Sequence, residues 1–127
     1  MPIPAKILVV EDHLFFRAML VELIENQPDM TVCGQADNVT DALTLIAQTQ
    51  PDVALVDLTL NGSNGLDLIR HLTAGNVRLP VLVLSMHPQS LHAERAMRAG
   101  AWGYVSKDES PDAVIAAMRT VLADESA

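Results

Sequence analysis

The sequence predicts an α/β protein built on a doubly wound, five-stranded parallel sheet. Short apolar runs alternate five times with longer amphipathic segments, and most of these runs are apolar at nearly every position. Strands that are apolar on both faces belong to parallel sheets that are covered by helices on both sides. The (βα)5 chain order favours the strand order 2-1-3-4-5, one of the two common orders of doubly wound sheets.

Each element has its own signal in the chain. The apolar runs predict strands at residues 6–10, 31–36, 53–56, 81–84 and 101–105. The second run is the more polar one, which indicates an edge strand. Helical spacing predicts helices at residues 14–25, 39–48, 66–72, 89–98 and from 111 onwards. Asn38 is the expected N-cap of the second helix, Gly100 ends the fourth, and Ser110 with Pro111 starts the fifth. The Gly-rich segment 61–65 is predicted to be a turn.

Composition and charge narrow the range of functions. The 127 residues fit one domain spanning 1–127, and half of them are apolar, which is typical of a folded core. Sixteen acidic against eight basic residues give a formal charge of −8, which disfavours nucleic acid and anionic membranes as partners. The lone Cys33 excludes an internal disulfide, and no apolar run is long enough to cross a membrane. We therefore expect a cytoplasmic protein that binds neither nucleic acid nor membrane directly.

Charged and polar residues follow four of the five predicted strands. Glu11 and Asp12 follow the first strand, Asp57 the third and Ser85 the fourth, and Lys107 stands shortly after the fifth. In an open parallel sheet, ligands bind at the carboxyl ends of the strands, and neighbouring strands lie about 4.8 Å apart. With the order 2-1-3-4-5, these side chains are expected to meet at one edge of the sheet.

The expected cluster suits phosphoryl transfer to a carboxylate. Three clustered carboxylates repel one another and raise at least one pKa, and a hard cation such as Mg²⁺ relieves the repulsion. Asp57 is then the candidate nucleophile for an aspartyl phosphate. Lys107 would neutralise charge on the transferring group, and the Ser85 hydroxyl would hydrogen-bond its oxygens. Taken singly, each residue has an ordinary role in a turn, a helix start or a solvated loop, so the prediction depends on their combination.

The combination resembles the receiver domains of two-component response regulators over nearly the whole chain. The matching residues are Glu11, Asp12, Asp57 in Val56-Asp57-Leu58, Ser85, and Lys107 in Gly103-Tyr104-Val105-Ser106-Lys107-Asp108. The segments 11–13 and 99–108 are similar to the NarL/FixJ type, in which a LuxR-type helix-turn-helix DNA-binding domain usually follows the receiver. The resemblance implies a flavodoxin-like receiver fold. It also implies a phosphorylation-activated signalling switch that is not an enzyme, beyond assisting its own phosphorylation and dephosphorylation.

The resemblance implies a partner and a cofactor. Asp57 would accept a phosphoryl group from a sensor histidine kinase. Glu11, Asp12, Asp57 and the Thr59 backbone carbonyl would hold Mg²⁺. A C-terminal DNA-binding domain, absent from this chain, and a phosphorylation-dependent homodimer are further expected partners.

The resemblance also implies how the signal is passed on. Lys107 would pair with the phosphoryl group, Ser85 would move towards it, and Tyr104 would change rotamer to fill the space left behind. Otherwise Tyr104 is a plain core aromatic. The output surface would be the face of the fourth helix, fifth strand and fifth helix, or one built on the first and fifth helices.

Some positions depart from the family pattern. Leu60 and Asn61 replace the usual Met-Pro pair, Met86 replaces a small residue after Ser85, and Asp108 replaces the proline that usually follows the lysine. Met86 is expected to narrow access to Asp57 and to alter phosphorylation or dephosphorylation rates.

Two other functions remain open at this point. One is a degenerate receiver that acts only as a docking module. The intact acid pair, Asp57, Ser85 and Lys107 argue against it, while the Asn61 and Met86 departures keep it open. The other is a flavodoxin-type cofactor binder, although Glu11, Asp12 and His13 stand where that class needs a phosphate-binding loop.

The first predicted helix also carries more apolar residues than one core-facing stripe needs. Either both of its flanks are buried or part of it is a protein interface, which we favour.

Overall fold

The computed structural model describes residues 3–60, 63–86 and 91–126. Its strands are β1 (Ala5–Val10), β2 (Met30–Ala36), β3 (Val53–Asp57), β4 (Thr59–Leu60), β5 (Ser63–Asn64), β6 (Val81–Ser85) and β7 (Gly103–Ser106). Its helices are α1 (Leu14–Glu25), α2 (Val39–Thr49), α3 (Gly65–Ala74), α4 (Leu91–Ala99) and α5 (Pro111–Ser126).

The main sheet has five parallel strands in the order β2-β1-β3-β6-β7. This confirms the predicted order 2-1-3-4-5, because β6 and β7 are the fourth and fifth strands of this sheet. The more polar β2 is an edge strand, as predicted. The central strands β3 and β6 are buried at every position, which explains why their sequences lack the polar alternation of a half-exposed strand.

Helices cover both faces of this sheet. Because consecutive strand residues point to opposite faces, alternate residues of the central strands contribute to two separate cores. The core beneath α2, α3 and α4 includes Leu8, Val56, Val83, Leu68, Ile69 and Ala96. The core beneath α1 and α5 includes Ile7, Leu55, Leu84, Leu20, Ile24 and Met118. The buried hydrophobic side chains of the described residues are aliphatic or methionine, in keeping with the low aromatic content of the chain.

The structure differs from the prediction after β3. The segment 61–65 was predicted to be a turn, but Thr59–Leu60 and Ser63–Asn64 pair as a short antiparallel hairpin, and residues 61–62 lie outside the described part. The helix α3 then begins at Gly65, where the Asn64 side chain accepts a hydrogen bond from the backbone N–H of Leu66. Two-residue strands carry too few side chains to produce an alternating pattern, so the hairpin had no signal in the sequence.

The end of α4 matches its prediction. Gly100 follows the last residue of the helix with a φ of 126°, a conformation that side chains other than glycine rarely adopt. The predicted start of this helix at residue 89 lies outside the described residues. Within the described ranges, no helix is both long and apolar enough to cross a lipid bilayer.

Candidate functional site

The register of the central strands brings acidic and hydroxyl side chains to one edge of the sheet. Val10 pairs with Val56, so Glu11 and Asp57 are the next residues along their two chains. Asp57 in turn pairs with Leu84, which places Ser85 one residue beyond it on β6. Glu11, Asp57 and Ser85 are all buried although they are polar. Buried polar groups of this kind need partners or a ligand.

Lys107 supplies the cation of this cluster. Its Nζ atom donates to Glu11 Oε1 at 2.6 Å and to Asp57 Oδ2 at 3.0 Å. The side chain is only 12% exposed. Two charge-assisted hydrogen bonds in a water-poor setting therefore hold the ammonium between the Glu11 and Asp57 carboxyl groups.

The loop that carries Lys107 is fixed through its backbone. The Lys107 N–H donates to the carbonyl of Ser85 at 3.0 Å, which continues the β6–β7 pairing by one residue. Beyond it, the Asp108 N–H donates to Ser106 Oγ, and the Glu109 carboxylate accepts from the Ser106 N–H. The lysine thus starts from a hydrogen-bonded turn and reaches back across the strand ends.

Asp57 is held from two sides. Its Oδ2 atom accepts from Lys107, and its Oδ1 atom accepts from the Thr59 N–H at 3.1 Å. Gly65 packs so closely behind it that an added Cβ would lie 2.3 Å from the Asp57 carbonyl oxygen. Only glycine fits at this close backbone approach.

Three carboxyl groups converge at the site. Glu11, Asp12 and Asp57 each offer an oxygen atom, and these atoms all lie within 4.8 Å of one another. Glu11 Oε2 is buried and has no hydrogen-bond partner among the described residues. An unpaired carboxylate oxygen beside two more hard oxygen donors fits a small divalent cation such as Mg²⁺, because that ion prefers carboxylate oxygens. The residues present therefore fit the predicted ion.

Burial changes the acid–base behaviour of this cluster. Burial of the Glu11 carboxyl, together with the adjacent Asp57, raises the pKa of Glu11 to about 8, although Lys107 acts in the opposite direction. For Lys107, burial alone would lower the pKa. Its hydrogen bonds to Glu11 and Asp57 outweigh that effect, so the pKa of the ammonium lies above its ordinary value. The metal-free cluster therefore holds a proton more tightly than separate carboxylates would.

Comparison with known proteins agrees with this geometry. Residues 7–119 match the family described as "Response regulator receiver domain". The chain belongs to the response-regulator receiver family. It is 33% identical over 122 residues to the nitrate/nitrite response regulator NarL of Escherichia coli K12, an alignment that covers 96% of this chain and 56% of that protein. It is 32% identical over 120 residues to the response regulator GacA of Pseudomonas aeruginosa, covering 94% of this chain and 56% of that protein.

Solved structures give the same result. A LuxR-family response regulator from Aurantimonas sp. SI85-9A1 superposes with a TM-score of 0.90 at 34% identity, covering 96% of this chain and 87% of that one. The receiver domain of the response regulator NarL from Mycobacterium tuberculosis gives a TM-score of 0.89 at 28% identity, covering 95% and 98%. The flavodoxin-like receiver fold and the NarL-type resemblance are thereby confirmed. The receiver spans a little over half the length of the curated relatives above.

Membership of this family decides the class of function. The protein is a receiver domain of a two-component response regulator, and such domains are signalling switches rather than classical enzymes. The family match and the acidic residues after β1 both argue against the flavodoxin-type cofactor binder. The docking-only alternative concerns phosphorylation itself, which family membership does not decide.

The receiver brings most of its predicted site residues together. Glu11, Asp12, Asp57 and Lys107 form one cluster, and Ser85 lies at the neighbouring strand end. Thr59 stands two residues after Asp57 and donates its N–H to it.

The remaining predicted positions differ in their setting. The side chain of Tyr104 is 43% exposed on β7, so the interpretation as a plain core aromatic is wrong. Met86 is exposed directly after the buried Ser85. Asn61, the other departure from the family pattern, lies outside the described residues. The effects of Asn61 and Met86 on phosphorylation stay predictions.

Two residues of the site were not predicted. Arg17 donates from Nη1 to the Glu11 backbone carbonyl at 2.8 Å, and the ring of Phe16 lies beside Lys107 Nζ, 4.7 Å from the ring centroid. A cation near the N-terminal end of a helix is unfavourable for the helix dipole. The position of Arg17, so early in a predicted helix, was therefore the signal in the sequence that it has a specific contact. The signal for Phe16 was the apolar excess of the first helix.

Proposed function

We propose that Asp57 accepts a phosphoryl group from a sensor histidine kinase and that the receiver passes this change to a transcriptional output domain or partner. The observation that supports the proposal is the buried Asp57 carboxylate, which is hydrogen-bonded to the Lys107 ammonium and packed against two more carboxyl groups. Burial and pairing orient this carboxylate before any phosphoryl donor arrives, which lowers the cost of reaching a productive geometry.

The proposed step is an in-line displacement at phosphorus. A carboxylate oxygen of Asp57 forms a P–O bond while the P–N bond to the kinase histidine breaks, and the departing imidazole keeps the electron pair and takes up a proton. Negative charge on the phosphoryl oxygens is neutralised by Lys107, whose ammonium already contacts Asp57 in this structure. Ser85, at the next strand end, would then hydrogen-bond a phosphoryl oxygen.

The acid cluster would hold Mg²⁺ for this reaction. Glu11, Asp12, Asp57 and the backbone carbonyl of Thr59 are the proposed ligands. When bound, the ion supplies charge neutralisation to the carboxylates and to the phosphoryl oxygens. The chain's own contribution is to keep one oxygen of each of the three carboxyl groups within 4.8 Å of the others.

Transmission would use Ser85 and Tyr104. Tyr104 lies on β7, whose residue Ser106 pairs with Ser85 of β6. Its side chain is exposed and not packed into the core, so it is free to adopt another rotamer. We propose that Ser85 moves towards the phosphoryl group and that Tyr104 moves inwards in response.

The relatives suggest the wider setting. NarL and GacA are response regulators almost twice as long as this chain. We propose that this receiver works in the cytoplasm next to a LuxR-type DNA-binding domain and forms a phosphorylation-dependent homodimer. The charge of −8 supports a division of labour in which the receiver itself does not bind DNA.

Intact-protein mass spectrometry tests the proposed acceptor. The receiver is incubated with Mg²⁺ and a small acyl phosphate, beside Asp57→Asn and a control variant at an exposed aspartate, Asp112→Asn. We expect one phosphoryl adduct in the wild type and in the control, and none in Asp57→Asn. Absence of the adduct from a folded wild-type protein that still binds Mg²⁺ would instead favour the docking-only receiver.

A further inference from the structure

The ring of Phe16 is an uncharged neighbour of the Lys107 ammonium. We propose that Phe16 is a positioning residue, whose ring face holds the Lys107 ammonium in line with Asp57. The inference deepens the proposed function and rests on it, since it concerns the lysine that would meet the phosphoryl group.

The contact has the geometry of a cation–π pair. Lys107 Nζ lies 4.7 Å from the centroid of the Phe16 ring, well within the roughly 6 Å over which a ring face attracts a cation. An ammonium has three donors, and two of them are directed to Glu11 and Asp57. The ring thus gives the ammonium a third attractive neighbour. The low exposure of Lys107 strengthens this attraction, because water competes with it weakly.

Phe16 itself is held in place. Its backbone N–H donates to Nδ1 of His13, the N-cap of α1, at 3.2 Å. Its side chain is half-buried and packs against the core beneath α1 and α5. The adjacent Arg17 ties the same turn of helix to the Glu11 carbonyl. The ring is therefore held at the hydrogen-bonded start of α1, next to the acid cluster.

A ring suits this position better than another polar side chain would. Phosphoryl transfer adds negative oxygens near Asp57, and Lys107 must then give hydrogen bonds to them. A further carboxylate or carbonyl beside the lysine would compete for those donors. An aromatic face attracts the ammonium without accepting a strong hydrogen bond, so it limits where the lysine can point without engaging a donor that the phosphoryl oxygens need.

Lysine-detected NMR tests the contact directly in the metal-free protein. The chain has only two lysines, Lys6 and Lys107, so ¹³C-lysine labelling gives two sets of signals, which Lys6→Arg assigns. A proton near an aromatic face is shifted upfield by the ring current. We expect an upfield shift of the Lys107 Hε signals that is lost in Phe16→Leu and kept in Phe16→Tyr. Lys6 serves as the internal reference.

Phe15 provides a matched control for these variants. It precedes Phe16 in α1 but is 80% exposed, so Phe15→Leu makes the same chemical change away from the site. Lys107 signals should be unchanged in this variant. Wild-type Lys107 signals without an upfield shift, or an equal loss of the shift in Phe15→Leu, would overturn the inference.

Phosphorylation rates then distinguish a positioning role of Phe16 from a role in core packing alone. Leucine keeps most of the apolar contact with the core, so a structural role alone would leave the rate unchanged. We expect Phe16→Leu to be phosphorylated by a small acyl phosphate roughly three- to tenfold more slowly, the range set by a cation–π contact. Phe16→Tyr should restore the rate, and Phe15→Leu should match the wild type. A wild-type rate in Phe16→Leu would refute the positioning role.

The two measurements also separate failure of this inference from failure of the proposed function. If the wild type is not phosphorylated at all, the proposed function fails, and the NMR series alone decides whether Phe16 positions Lys107. If the wild type is phosphorylated and Phe16→Leu behaves identically in both measurements, the proposed function stands and the positioning role is overturned.

Discussion

Glu11 shows how strongly a single buried residue can set the behaviour of the site. Its carboxyl group is fully buried, one of its oxygens binds Lys107 and the other has no partner among the described residues. An ionised carboxylate in such a place is costly, since burial removes the water that would stabilise its charge. In the metal-free receiver this residue is therefore protonated at pH values where an exposed glutamate is ionised.

The raised pKa of Glu11 predicts a pH-dependent stability of the metal-free protein. The folded form keeps the proton up to about pH 8, whereas the ordinary value is 4.5. Between these values the folded state binds more protons than the unfolded chain, so the free energy of unfolding falls as pH rises, by at most about 1.4 kcal/mol per pH unit. Chemical denaturation at pH 5, 6, 7 and 8 in the presence of a chelator measures this slope.

Two variants show which residue causes the pH dependence of the free energy of unfolding. Glu11→Gln removes the titrating group and should flatten the dependence between pH 5 and 8. Glu22→Gln makes the same change at an exposed glutamate of α1 and should leave the slope as in the wild type. A wild-type slope in Glu11→Gln would show that another group is responsible.

At the scale of elements, α1 combines a buried face, a site-facing residue and an exposed apolar face. Leu20 and Ile24 are buried, whereas Leu14, Phe15 and Met19 are exposed. The alternative that both flanks of this helix are buried is therefore wrong. The alternative that its exposed part is a protein interface stays a prediction. The same helix start supplies the ring that contacts Lys107, so any partner bound to this face would lie next to the acid cluster.

The start of α3 is the second element that shapes the site. Gly65 donates its N–H to the Leu58 carbonyl at 3.0 Å, and a Cβ at this position would collide with the Asp57 backbone. We predict that Gly65→Ala destabilises the fold by about 1–3 kcal/mol, because the backbone must move to relieve the overlap. The displacement should also slow phosphorylation of Asp57. Chemical denaturation and the mass-spectrometric rate measure the two effects.

Gly75 is the matched control for this change. It lies at the other end of α3, where an added Cβ would come no closer than 3.4 Å to the His71 carbonyl oxygen. Gly75→Ala should keep the wild-type stability or raise it slightly by restricting the unfolded chain. If both alanine variants unfold at the same denaturant concentration, the close approach of Gly65 is not what makes glycine necessary there.

At the scale of the whole molecule, the sheet converts separate strand ends into one binding edge. The acidic residues after β1 and β3 and the lysine after β7 are far apart in the chain, and two aliphatic cores hold their strands in register. The stability of the cores and the state of the site are consequently linked. A ligand that binds only the folded cluster must stabilise the entire domain.

Magnesium binding should therefore raise the melting temperature. At a concentration 100-fold above its dissociation constant, the ion would add about 2.7 kcal/mol, or roughly 10 °C for a domain of this size. Thermal unfolding with and without Mg²⁺ measures the shift. Asp12→Asn should reduce the shift while stabilising the metal-free form by removing repulsion, and Asp112→Asn should leave both values unchanged. Superimposable wild-type curves at millimolar Mg²⁺ would contradict the proposed site.

The sequence alone was sufficient for the fold and for the principal members of the cluster. Apolar runs on both faces of a strand and helix caps such as Asn38 predict the strands and helices of the main sheet, because these signals are local. The (βα)5 succession favours the doubly wound class to which this sheet belongs. Glu11, Asp12, Asp57, Ser85 and Lys107 were identifiable because each follows a strand directly or within a short turn. The short β4–β5 hairpin was not predicted, since a strand of two residues has no periodicity. The fifth strand of the main sheet was predicted at residues 101–105 but runs from Gly103 to Ser106, because strand ends depend on their partners.

Only the tertiary structure decided which groups touch and what that contact does to them. The two side-chain hydrogen bonds of Lys107 span 96 and 50 residues of chain, so no local pattern could reveal them. Four other features also arise from contacts that form only in the folded chain. They are the unpaired Glu11 oxygen, the raised pKa of Glu11, the fit of Gly65 behind Asp57 and the ring of Phe16 beside Lys107. The sequence by itself determined which chemistry stands at the strand ends, because side-chain type and the succession of strands and helices are written along the chain. Burial and distance, which set the energies of that chemistry, exist only once the strands are packed together.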